Sequence, residues 1–122
     1  MTWTLAELGG QRALLCHPEA PVIATRREAG DLIGEALGAG ASLVVVPKTR
    51  LPAEFFRLAS GLAGEVLQAF VNYRIGVAII GDLGEELAGS APLRDFVREA
   101  NRGREVRFAA DLEALRSAFG AD

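Results

Sequence analysis

The 122-residue chain has only one cysteine and one histidine, Cys16 and His17. A single cysteine excludes an internal disulfide. One of each excludes a four-ligand Cys/His zinc site and leaves only carboxylate-rich sites open to a metal. The two are adjacent on an expected strand, so their side chains point to opposite faces and do not form a catalytic pair. Cys16 is expected to be buried, as free cysteines usually are, and His17, beside Pro18, to lie in a loop.

Excess positive charge is also missing. Thirteen Lys and Arg stand against 16 Asp and Glu, a net charge of −3. That argues against a nucleic-acid partner, which needs a basic face. No apolar run approaches the ~18 residues of a membrane span. The longest runs, residues 43–47 and 76–81, are strand-sized. The start, Met1-Thr2-Trp3-Thr4-Leu5-Ala6-Glu7, has neither the basic residues nor the apolar stretch of a secretory leader. A cytoplasmic protein without membrane contact is expected. Nucleotide and hydrolase signatures are lacking too: there is no Walker loop, GxGxxG, HExxH or GxSxG. No cofactor, metal or catalytic residue is therefore assigned.

What is present reads as a globular protein. Hydrophobic residues make up 50% and charged residues 24%, a folded composition. The length suits one domain over residues 1–122.

Residues 3–8 and 12–16 flank Gly9-Gly10 and read as a hairpin. The prolines at 18 and 21 make a loop, followed by a short extended piece at 22–24. Residues 26–37 carry apolar side chains at helical spacing, with Thr25 and Glu28 in the capping-box pattern. Residues 43–46 are apolar throughout, as in a strand buried on both faces. Residues 53–58 read as a helical turn and 61–72 as the main helix, with Ser60 as its N-cap. Residues 75–80 form another apolar strand, 83–92 a loop and 93–100 a helix. Residues 105–109 form a strand and 112–119 a last helix, capped by Asp111. Apolar strands alternating with helices predict an α/β fold. It has a single layer of mostly parallel strands and an N-terminal antiparallel hairpin.

Two groups of polar residues stand out. Gly61, Glu65, Gln68 and Asn72 fall at spacings of 4, 3 and 4, one stripe of a helix, with Gly64 beside it. This is either a solvated face or a surface for a ligand or partner. Ser60, at a helix start, either caps a backbone N–H or offers a place for a phosphate. The second group gathers where ligands bind in open α/β sheets, outside the carboxyl ends of the strands. Arg50 and Asp82 fall there. Glu99 and Asn101 end the following helix, where Asn101 before Gly103 also reads as a cap.

The run Phe55-Phe56-Arg57-Leu58-Ala59-Ser60-Gly61-Leu62-Ala63-Gly64-Glu65-Val66-Leu67-Gln68-Ala69-Phe70-Val71-Asn72-Tyr73-Arg74 resembles the signature of a bacterial family known as domain-of-unknown-function family 4180. The likeness continues through residues 77–82, 93–96 and 99–103. The family pattern has a Lys where this chain has Ala69, and commonly a Ser where it has Ala100. The resemblance implies no activity. At the level of element order the chain is also similar to STAS domains, the anti-sigma-factor antagonist fold. There a Ser-Gly-Leu/Ile-Gly motif starts the second helix, and its serine is phosphorylated to switch partner binding. Ser60-Gly61-Leu62-Ala63-Gly64 holds the matching place, with Ala59 where an acidic residue stands in STAS domains. The Phe55-Phe56 turn is an insertion relative to that pattern.

Three functions remain open. The favoured one is a non-enzymatic, STAS-like regulatory or protein-interaction module docking through residues 60–72. The second is a small-molecule site or enzyme at the strand ends using Arg50, Glu65, Gln68, Asp82 and Asn101. The third, compatible with both, is a homodimer. It is suggested by a mean hydropathy of +0.22 and by Phe55, Phe56 and Phe70, more aromatic bulk than a thin layer is expected to bury.

Overall fold

The computed structural model describes residues 2–119. The hairpin forms as the sequence predicts: β1 (Trp3–Leu8) pairs antiparallel with β2 (Gln11–Cys16). Gly9 and Gly10 turn the chain at φ +58 and +79, the double positive φ that a two-residue type I′ turn demands. Then follow α1 (Arg26–Gly38), β3 (Leu43–Pro47), α2 (Leu62–Asn72) and β4 (Gly76–Ile80). Next come α3 (Gly84–Ala88), α4 (Ala91–Ala100), β5 (Val106–Ala109) and α5 (Leu112–Phe119). Between β3 and α2 lie three short 3-10 turns, Lys48–Arg50, Ala53–Phe56 and Leu58–Ser60.

The start of α1 is set by the expected reciprocal cap. The Glu28 N–H donates to Thr25 Oγ1 at 3.1 Å, and Glu28 Oε1 accepts from the Ala24 N–H at 2.9 Å. Asp111 caps α5 through the Ala114 N–H at 2.8 Å. Two expectations are corrected. Residues 83–92 are not all loop: α3 forms at 84–88, because Asp82 Oδ1 accepts from the Gly84 N–H at 2.8 Å and starts a turn there. Ser60 is not at the N-cap position of α2. That place belongs to Gly61, in the left-handed region at φ +81, and the helix begins at Leu62.

The sheet has the order β1-β2-β3-β4-β5, antiparallel only between β1 and β2. Each new strand is laid beside the last. Crossovers of one hand then place their helices on one face. On that face Leu14, Val44, Val46, Val77, Ile79 and Phe108 meet Ile33 of α1, Val66 and Phe70 of α2 and Leu93 of α4. On the other face Ala13, Leu43, Val45 and Ala78 meet Leu115 of α5. β3 is apolar at every position because both its faces are covered. Each large side chain so buried contributes about 1.5–3 kcal/mol.

Phe55, Phe56 and Phe70 are all inside, at 2%, 6% and 1% exposure. The 3-10 turns fold Phe55 and Phe56 into edge-to-face contact, with ring centroids 5.2 Å apart, beneath α2. The layer therefore does bury its aromatic bulk, and these rings give no ground for self-association. Among the described residues no helix is long and apolar enough to cross a membrane.

Candidate functional site

The structure separates the sequence-predicted residues into two places. The first is the outer face of α2. Its apolar positions, Leu62, Ala63, Val66, Leu67, Ala69 and Phe70, turn inward. Gly61, Gly64, Glu65, Gln68 and Asn72 are left exposed on the other side. Gln68 Nε2 donates to Asn72 Oδ1 at 2.9 Å, the one-turn amide pair that the spacing of four allows. Nothing lies within 4 Å of where a Cβ would stand on Gly61 or Gly64. Gly64 therefore does not serve internal packing. Ser60 is fastened at both of its hydrogen-bonding capacities. Its hydroxyl donates to the Glu54 carbonyl at 2.7 Å, and its oxygen accepts from the Leu62 N–H at 3.2 Å. The serine thus ties the 3-10 turns to the first turn of α2.

The second place is the carboxyl ends of the strands. Arg50 is buried at 7% exposure. Its Nε donates to the Pro21 carbonyl and its Nη1 to the His17 carbonyl, each at 2.8 Å. The guanidinium thereby pins the proline-bearing loop between β2 and α1. Lys48 Nζ reaches both the Asp82 carbonyl at 2.8 Å and Glu86 Oε2 at 2.8 Å. That hydrogen bond holds the Glu86 carboxyl below its ordinary value of 4.5. Glu86 Oε1 is buried and has no partner among the described residues. Cys16, at the end of β2, is buried as expected. Burial pushes its thiol up to about 11, and the nearby Arg50 charge opposes this only in part. A thiol so held is protonated at neutral pH and is a poor nucleophile.

The structure does not bring the two places together. Asp82 lines two adjoining cavities of about 340 and 290 Å³ that share Gly81 and Ala110. Neither cavity includes Glu65, Gln68, Asn72, Arg50 or Asn101. Glu99 is exposed and faces Arg102 at 3.7 Å. Asn101 sits at the C-cap of α4, and its side chain has a further role. Its Oδ1 accepts from the Phe108 N–H at 2.8 Å. Glu105 and Ala109 give their carbonyls to β4, so the backbone groups of Phe108, which alternate with theirs, point to the free edge of the sheet. Asn101 covers that edge, where an open N–H invites strand addition.

Two features were not legible beforehand. Arg50 carries no pattern that marks it as buried, since its partners are backbone carbonyls 29 and 33 residues away. A third cavity, about 540 Å³, opens at the amino ends of the strands and is lined by Arg74, Arg104 and Arg107. The carboxyl-end rule points away from it. The available signal was Arg107, a charge on the strand face that the alternation of Val106 and Phe108 turns toward α5. Among the described residues no three His, Cys, Asp or Glu side chains gather to hold a metal ion.

The profile of the family described as "Domain of unknown function (DUF4180)" matches residues 8–119. The chain belongs to that family. Comparison with curated proteins and with solved structures gives no match.

Proposed function

We propose that this DUF4180 member is a non-enzymatic, STAS-like interaction module that docks a partner protein through the outer face of α2. The observation that carries this reading is the combination on that face. Gly64 costs the helix about 1 kcal/mol relative to Ala, and no internal contact requires it. It stands beside an exposed carboxylate, Glu65, and an amide pair bonded only to itself. Open helical glycines alone do not make this case, since Gly30 and Gly34 of α1 also meet nothing within 4 Å. Those glycines also stand beside exposed carboxylates, Asp31 and Glu35, so what α2 adds is the self-bonded Gln68–Asn72 amide pair one turn on. Its partner is expected to approach the backbone closely at Gly64 and to offer a cation to Glu65.

The test compares two bulky variants in partner capture from source cells, with hydrogen exchange mapped on the captured complex. Gly64→Trp should abolish capture and Gly34→Trp should leave it unchanged. Residues 61–72 should gain protection in the complex. Equal effects of the two variants, or protection confined elsewhere, would overturn the reading. Ser60→Ala and Ser60→Asp test the phosphorylation switch of STAS domains separately. The serine must release the Glu54 carbonyl to be modified, so a switch requires Ser60→Asp to change docking.

A second reading, a small-molecule site at the carboxyl ends, is favoured by the two adjoining cavities around Asp82. Density or chemical-shift changes centred on Asp82 would move the assignment there.

A further inference from the structure

The largest of the three cavities is at the opposite end of the sheet from the one ligands usually occupy in α/β folds. It measures about 540 Å³. Four separate segments meet there: the start of β2 with Gln11, the approach to β3 with Ser42, the α2–β4 turn with Arg74, and the approach to β5 with Arg104 and Glu105. Arg107 enters from β5 itself, with its guanidinium carbon 5.1 Å from the centroid of the Phe119 ring.

Three arginines thus line one cavity with a single acidic residue, Glu105, in a chain whose net charge is −3. Among the described residues none of the three makes a side-chain hydrogen bond or an ion pair. Elsewhere Arg12, Arg50, Arg94, Arg98 and Arg116 donate to protein acceptors, while the bare arginines outside the cavity, Arg26, Arg27 and Arg57, are all exposed to solvent. Most telling is Arg107 Nε, which is buried and has no partner among the described residues. A buried donor without an acceptor costs about 1–3 kcal/mol, more when charged. The neutral donors are arranged in the same sense. Ser42 Oγ donates to Gln11 Oε1 at 2.9 Å, which fixes that amide and leaves its Nε2 hydrogens free. Arg74 sits on the turn out of α2 and is the one non-glycine residue with positive φ among those described, at +57.

We propose that this cavity binds the phosphate group of a small phosphorylated ligand. Guanidinium groups present paired N–H donors that match phosphate oxygens two at a time. A phosphate dianion offers enough acceptors for all three. The volume exceeds what a bare phosphate fills, so the apolar lining residues Val71, Ile75 and Phe119 are left for an organic part. This site is independent of the α2 face, and its failure would leave that docking reading intact.

The test is calorimetric titration of the full chain at low salt with inorganic phosphate, pyrophosphate and citrate. Pyrophosphate should bind, with an affinity that falls as salt rises. Arg104→Gln and Arg74→Gln, both exposed positions, should each weaken it about 10-fold or more. Arg107→Gln should do the same, and should it fail to fold, Arg104→Gln carries the test. Arg57→Gln, on an exposed arginine elsewhere, should change nothing. Absence of binding at millimolar pyrophosphate, or affinity unaltered by Arg104→Gln, would overturn the site. Citrate binding more tightly than both phosphates would overturn the phosphate assignment.

Discussion

At the carboxyl ends of the strands, Arg50 ends on two carbonyls, Lys48 on a carbonyl and a carboxylate, and Asp82 on a backbone N–H. At the amino ends, Arg74, Arg104 and Arg107 end on no protein acceptor among the described residues. The same residue type thus serves opposite purposes 24 to 57 positions apart. Where a buried arginine is bonded to its own backbone, as Arg50 is through Nε and Nη1, it is part of the fold. Where an arginine lines a cavity with no acceptor among the described residues, it is open to a ligand. The position of a charged residue along a strand decides less than whether the chain supplies its partner.

The contrast is most sharply broken at Arg50. Arg50→Ala leaves the His17 and Pro21 carbonyls without donors and empties a buried space. Stability should fall by about 3 kcal/mol, read from urea unfolding. A loss below about 1 kcal/mol would mean that this arginine is no more committed than those at the other end. Cys16 gives a pH-dependent measure of the same locked region. Its folded thiol titrates at about 11 against an ordinary value of 9.0. The unfolded chain therefore ionises first. The contribution is whole below pH 9 and is lost as pH rises toward 11, amounting to about 2–3 kcal/mol at the upper limit. Unfolding midpoints at pH 8 and pH 11 should diverge more in the parent than in Cys16→Val. Asn101→Ala exposes the Phe108 N–H at the sheet edge. It should cost about 1–2 kcal/mol and promote association visible by light scattering. Smallest is the effect at the amino ends, where Arg104→Gln should shift stability by no more than about 0.5 kcal/mol while changing anion binding. A large destabilisation by Arg104→Gln would erase the distinction between the ends.

The parts of the fold that could be read from sequence were those governed by local chemistry. The all-apolar residues 43–46 have one physical solution, a strand covered on both faces, and Thr25 with Glu28 closes its own cap. Helix α3 escaped because five residues hold too little periodicity to show, and its start depends on Asp82 folding back on Gly84. The polar stripe of α2 was legible as a stripe, because 3.6 residues per turn fixes it. Its separation from Asp82 was not, because that depends on which way a whole helix faces. The arginine cavity was invisible for a related reason: Gln11, Ser42, Arg74 and Arg104 come from four segments that only the sheet brings together.

The strand order has a consequence for how the chain folds. Every strand pairs with the one made just before it, and α2 packs beside α1. No pairing waits for a distant segment, so the loop-closure cost of every step is small. The structure can be laid down from first strand to last, in the direction of synthesis, with each new unit docking on a finished edge. Only α5, which covers the opposite face, must wait for the end, and until it arrives that face of the growing sheet depends on something else to keep it from sticking.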